Sequence, residues 1–67
     1  MGNIQVFVNL DGQGNIIEIA AGINLAPGKP YDRFFVVSNQ EALTRMDLTI
    51  SELEQWQQEW EAANGQG

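Results

Sequence analysis

The sequence predicts a single α+β domain: a small antiparallel sheet of about three strands, then a short helix and a longer C-terminal amphipathic helix packed on the sheet. Three observations carry that expectation. β-branched residues recur with a period near two in the first half of the chain, glycine and proline punctuate those runs, and apolar residues near the end recur at spacings of three and four. The 67 residues, 43% of them hydrophobic, bound the chain to one small domain, residues 1–67.

The first strand is read over Ile4-Gln5-Val6-Phe7-Val8-Asn9-Leu10, with Ile4, Val6, Val8 and Leu10 on one face and Gln5, Phe7 and Asn9 on the other. A second covers residues 16–21, placing Ile17, Ile19 and Ala21 opposite Ile16, Glu18 and Ala20. Asp11-Gly12-Gln13-Gly14-Asn15 between them reads as the hairpin turn, because Asp-Gly and Gly-Asn suit positive φ. A loop over residues 22–31 contains Pro27-Gly28-Lys29-Pro30, where each proline removes a ladder donor. Arg33-Phe34-Phe35-Val36-Val37 is the third strand, apolar on both faces.

Two capping boxes then follow. Ser38-Asn39-Gln40-Glu41 would open a short helix over residues 39–46, presenting Ala42, Leu43 and Met46. Thr49-Ile50-Ser51-Glu52 would open the longer one, with Leu48 and Leu53 as a hydrophobic staple. Ile50, Leu53, Trp56, Trp60 and Ala63 form its apolar stripe, and Asn64-Gly65 supplies the stop.

Composition excludes more than it names. The chain lacks cysteine and histidine, which removes disulfides, thiolate metal sites, the common zinc ligand and the usual general base at neutral pH. Nine acidic residues against Lys29, Arg33 and Arg45 give a net charge of −6. Three scattered cations form no phosphate-tracking surface, so neither nucleic acid nor an anionic membrane is an expected partner. The start Met1-Gly2-Asn3-Ile4-Gln5-Val6 is like a myristoylation signal but carries Val6 where Ser or Thr is wanted. No apolar run reaches the length of a signal peptide or a membrane span, so the cytoplasm is the expected location.

Residues 9–20, NLDGQGNIIEIA, can also be laid on a calcium loop. Asn9, Asp11, Gln13, Gly14 and Ile16 then fall in plausible places, but Ala20 stands where the closing bidentate glutamate belongs. The glycines lack the third member and the following helix of a phosphate-binding loop. Neither a metal nor a cofactor is therefore expected. Glu52 and Glu59 flank the helix stripe on one side, and Glu54 and Glu61 on the other. Such carboxylates are solvated, whereas acid–base work needs one held protonated in a cleft. No Ser, Lys or Tyr sits in a nucleophile context, so neither an enzyme nor a small-molecule substrate is expected.

Trp56 and Trp60, one helical turn apart, either cover the sheet or anchor a second chain. One helix covers one sheet face, which would leave Phe7, Ile16 and one of Phe34 or Phe35 on the other, where an apolar patch marks an interaction surface. The sheet edges add unpaired backbone, and nothing in Ile4–Leu10 or in residues 34–37 blocks pairing. The expected interface residues are Phe7, Phe34, Phe35, Leu53, Trp56 and Trp60, and the expected partner is a second copy or another protein.

The opening strand followed by Leu10-Asp11-Gly12-Gln13-Gly14-Asn15-Ile16-Ile17-Glu18 resembles small proteins encoded among the tail genes of phages and prophages. The likeness covers the first third of the chain. It implies a structural or assembly component, in host cytoplasm or virion, or else a small acidic inhibitor or adaptor that binds a host protein.

Overall fold

The computed structural model describes residues 3–64. Strands β1 (Ile4–Leu10), β2 (Ile16–Ile23) and β3 (Arg33–Val37) precede a 3₁₀ turn, Gln40–Leu43, and helix α1, Ile50–Asn64. The sheet is antiparallel in the order β2-β1-β3, and α1 packs on β3: the fold is α+β. β1 is thus the central strand, and the edges belong to β2 and β3. β2 also runs two residues beyond the expected end, because Gly22 and Ile23 complete the pairing with Gln5 and Ile4.

The inner face buries Ile4, Val6 and Val8 of β1 with Phe35 and Val37 of β3, against Ala42, Leu48 and Leu53. Leu10, Ile16, Ile19, Ala21, Ile50 and Trp56 pack around this core. Strict alternation had paired Ile17 with Ile19 and placed Ile16 opposite; the structure reverses this. The register shifts between Asn9 and Leu10, so that Asn9 faces Glu18 while Leu10 faces Ile16. The residue left over is Ile17, which is 66% exposed, while Ile16 joins the core. A bulge of this kind changes the phase of every residue beyond it.

The turn is tied by one carboxylate. Asp11 Oδ1 accepts from the amides of Gln13 (2.8 Å) and Asn15 (2.9 Å), which holds the Asp11 carboxyl below its ordinary range, the Asn15 amide contributing most. Gly14, at φ +86°, is the glycine that needs its freedom; Gly12 has an ordinary φ.

The expected helix over residues 39–46 is only a 3₁₀ turn. Asn39, not Ser38, is its cap, accepting from Glu41 N at 2.9 Å. Two features end it at once. A segment this short gains little from helix propagation, and Arg45 is drawn to Asp47 (3.0 Å) and to both oxygens of Glu52 (3.1 and 3.3 Å). Ala42 is buried as expected, whereas Leu43 and Met46 face solvent. The second box does form: Thr49 Oγ1 accepts from Glu52 N at 3.2 Å, and Glu52 Oε1 accepts from Thr49 N at 3.3 Å. Leu48 and Leu53 are both buried beside it. The proposed stop at Asn64-Gly65 falls partly outside the described residues.

α1 runs alongside β3 in the same direction. Arg33 Nη2 meets Glu54 Oε2 at 3.4 Å, and further along Val36 N donates to Gln57 Oε1 at 3.0 Å. The Arg33 guanidinium also lies 5.1 Å from the centre of the Phe35 ring.

Candidate interaction surface

β2 and β3 both run antiparallel to β1, so the chain leaving β2 must cross the length of the sheet before it can enter β3. Residues 24–32 make this crossing over the outer face, opposite α1. The outer-face polar residues of β1 and β2 hold the strap down. Gln5 Oε1 accepts from Leu25 N (3.1 Å), and Asn9 Oδ1 accepts from Asp32 N (3.0 Å). Asp32 Oδ2 in turn accepts from Leu10 N at 2.8 Å. Lys29 Nζ donates to Glu18 Oε2 at 2.6 Å, and Asn9 Nδ2 donates to Glu18 Oε1 at 3.0 Å. Lys29, followed by Asn9, holds the Glu18 carboxyl below its usual range, and Glu18 raises the Lys29 ammonium above its own. Leu25 folds back over Gly22, where an added Cβ would meet the Leu25 Cβ at 3.4 Å, an ordinary contact.

The strap corrects the expectation of a bare outer face. Phe7 is half-buried beneath it, with Tyr31 at 5.8 Å and Phe34 at 4.7 Å between ring centres. Ile16 has left that face through the bulge. Of the Phe34 and Phe35 pair, Phe34 points outward and is 50% exposed, whereas Phe35 is 2% exposed inside the core. Leu53, at 0%, is core as well. Phe35 and Leu53 therefore offer no surface to a partner. Trp56 packs against the core, and Trp60 is half-buried, its indole Nε1 donating to Asn3 Oδ1 at 2.9 Å. The sequence pattern could not show the strap, because nothing in residues 22–31 says which face they cross.

What remains open is backbone. The Val36 N–H points away from β1, towards Gln57, so its β1 partner Gln5 turns its own groups towards β2. Alternation then aims Gln5, Phe7 and Asn9 at Gly22, Ala20 and Glu18, and leaves Ile19, Ala21 and Ile23 with backbone groups directed outward. Leu10 N, bonded to Asp32 on the β3 side, agrees with this phase. Among the described residues no hydrogen bond from outside the sheet reaches the β2 edge. Pro and Lys, which blunt natural edges, do not occur in β2, and its one charge, Glu18, is held by Lys29. Ile23, 61% exposed, stands at its open end.

Of the four carboxylates flanking the helix stripe, Glu52, Glu54 and Glu61 hold structural contacts, to Arg45, Arg33 and Gln57. Arg45 gathers Asp47, Glu52 and, at 3.8 Å, Glu41. The Arg45 guanidinium holds Asp47 below the usual carboxylate range. A depression of about 260 Å³ lies between the Gly14–Ile16 end of the hairpin and residues 46–50, with Asp47 as its one charged group. Among the described residues no cluster of three or more potential metal ligands occurs, and no helix is long and apolar enough to cross a membrane. No protein-family model matches the chain, and no curated protein or solved structure matches it either.

Proposed function

We propose that this chain is a non-enzymatic protein–protein interaction module whose first partner is a second copy of itself, as befits a small structural or assembly component. The observation that carries the reading is the β2 edge: Ile19, Ala21 and Ile23 present outward backbone groups with neither a charge nor a proline to deter a second strand. The likeness of the opening hairpin to phage tail-region proteins is compatible with an assembly role and supports it only through those residues. Support for a non-enzymatic role is chemical. There is no cysteine or histidine, and Asp11, Glu18, Asp47 and Glu52 are each engaged in a structural contact.

Light scattering over a dilution series tests this. The expected mass is twice the 7.4 kDa of the chain at high concentration, falling to one chain on dilution. Added salt strengthens the association, since each copy brings a charge of −6. Ile23→Lys, at an exposed position, leaves the monomer folded and lowers the mass to one chain. Tryptophan emission stays constant across the dilution, because Trp56 and Trp60 lie on α1, beside the opposite edge. A single-chain mass up to about 1 mM, where association is worth only about 4 kcal/mol, would remove the reading. A second reading, an adaptor that docks on a foreign protein, draws on the exposed Phe34 ring. Phe34→Ser would then abolish partner capture without changing the chain's own mass.

A further inference from the structure

The two edges of the sheet are not equivalent, and the difference sets where self-association stops. At the β3 edge the outward groups belong to Phe34 and Val36. The Val36 N–H, which an added strand would need, is already taken by Gln57 Oε1 at 3.0 Å. Gln57 Nε2 donates to Glu61 Oε2 at 3.3 Å, so Glu61 turns the amide with its oxygen towards the strand. α1 lies alongside, and the Arg33–Glu54 pair joins the two at the start of β3. The β2 edge carries no such cover.

We infer that the chain forms a closed two-fold dimer in which β2 pairs antiparallel with β2 of the second copy about Ala21, and that Gln57 keeps β3 from adding further copies. The inference rests on the self-association proposed above. Register follows from the outward groups. Centring on Ala21 places Ile19 opposite Ile23 of the second copy and uses all three outward residues on each side, roughly six main-chain hydrogen bonds. Centring on Ala20 would instead place Ile23 opposite Ile17, which the bulge takes out of the ladder. About Ala21 no carboxylate faces another, because Glu18 lies opposite the end of the second copy's β2, where Asn24 at φ 57° turns the chain away, and Ile23 gains Ile19 as an apolar neighbour. The axis stands perpendicular to the sheet. The product is a six-stranded sheet, β3-β1-β2-β2-β1-β3, with both helices on one face. An isologous contact of this kind closes after two copies, whereas a sheet with two open edges would go on growing.

Four variants test the inference on the full chain. Ala21→Cys should be joined to the second copy by a one-carbon thiol cross-linker, since directly opposed hydrogen-bonded residues stand about 5.5 Å apart at Cα, with Cβ atoms slightly beyond unstrained disulfide reach. Ala20→Cys should not cross-link, and if it alone does, the register is overturned. Gln57→Ala should convert the dimer into species of four chains or more as concentration rises, while Gln57→Glu, which keeps an acceptor, stays dimeric. Circular dichroism of each variant matching the parent separates these results from misfolding. A dimeric parent with an unchanged Gln57→Ala mass overturns the role given to Gln57 and leaves self-association standing. A monomeric parent overturns the self-association itself.

Discussion

Leu53 is the residue on which α1 hangs, and replacing it measures how the helix is attached. Its side chain is 0% exposed among β-sheet and 3₁₀-turn residues, one turn after the Thr49 cap. Leu53→Ala removes three buried carbons and leaves a cavity, which costs about 3 kcal/mol. A domain of 67 residues has a net stability of roughly 3–10 kcal/mol, so the loss is a large fraction of the whole. For this size the melting temperature should fall by roughly 12–24 °C. Trp60→Phe is the matched control. It keeps an aromatic ring at this half-buried site and forfeits the pyrrole part of the indole with its hydrogen bond to Asn3, that bond being worth about 1 kcal/mol. Urea titration followed by circular dichroism gives both values, at one fixed protein concentration so that association contributes equally. A Leu53→Ala loss no larger than that of Trp60→Phe would refute the reasoning, because α1 would then be held by its C-terminal half.

Other expectations follow from single residues. Gly14→Ala should cost about 1 kcal/mol because Gly14 holds φ +86°, whereas Gly12→Ala, in open space at an ordinary φ, should be neutral or slightly stabilising; thermal melts of the pair decide. Thr49→Ala loses the hydrogen bond to Glu52 N and should cost about 1 kcal/mol, read by urea titration. Asp11, Glu18 and Asp47 have folded values below their unfolded ones, so their stabilisation is full above the unfolded values of 3.8 to 4.5 and is lost as acid passes through the folded values. Lys29 is raised, so its share is full below 10.5 and lost at higher pH. The melting temperature should therefore be flat from about pH 6 to 9 and fall on both sides; a decline already at pH 6 would contradict these pairings.

Local chemistry made much of the fold legible. The β1 and β3 boundaries, the hairpin, the Thr49–Glu52 box and the Leu48–Leu53 staple depend on residues within a few positions of one another, and the chain carries them openly. The same reasoning overreached at Ser38, where a box-like pattern was present but Arg45, bound to Asp47 and Glu52, ended the turn before it could become a helix.

Of the interaction surface, the sequence marked the aromatic residues but not their sides. Alternation says that Phe34 and Phe35 face opposite ways; only the seating of α1 on β3 decides that Phe35 is core and Phe34 is open. Alternation also failed at Ile16 and Ile17, because a bulge is a property of two strands and not of one. The sequence by itself determined the class of fold, the capped C-terminal helix and the absence of cysteine and histidine chemistry. The tertiary structure decided strand order, and with it everything at the edges. It placed β1 at the centre, sent residues 24–32 over the outer face and put Gln57 against Val36 while leaving β2 open. Those outcomes turn on contacts between residues some twenty positions apart, such as Leu25 with Gln5 and Gln57 with Val36, for which a local pattern holds no record.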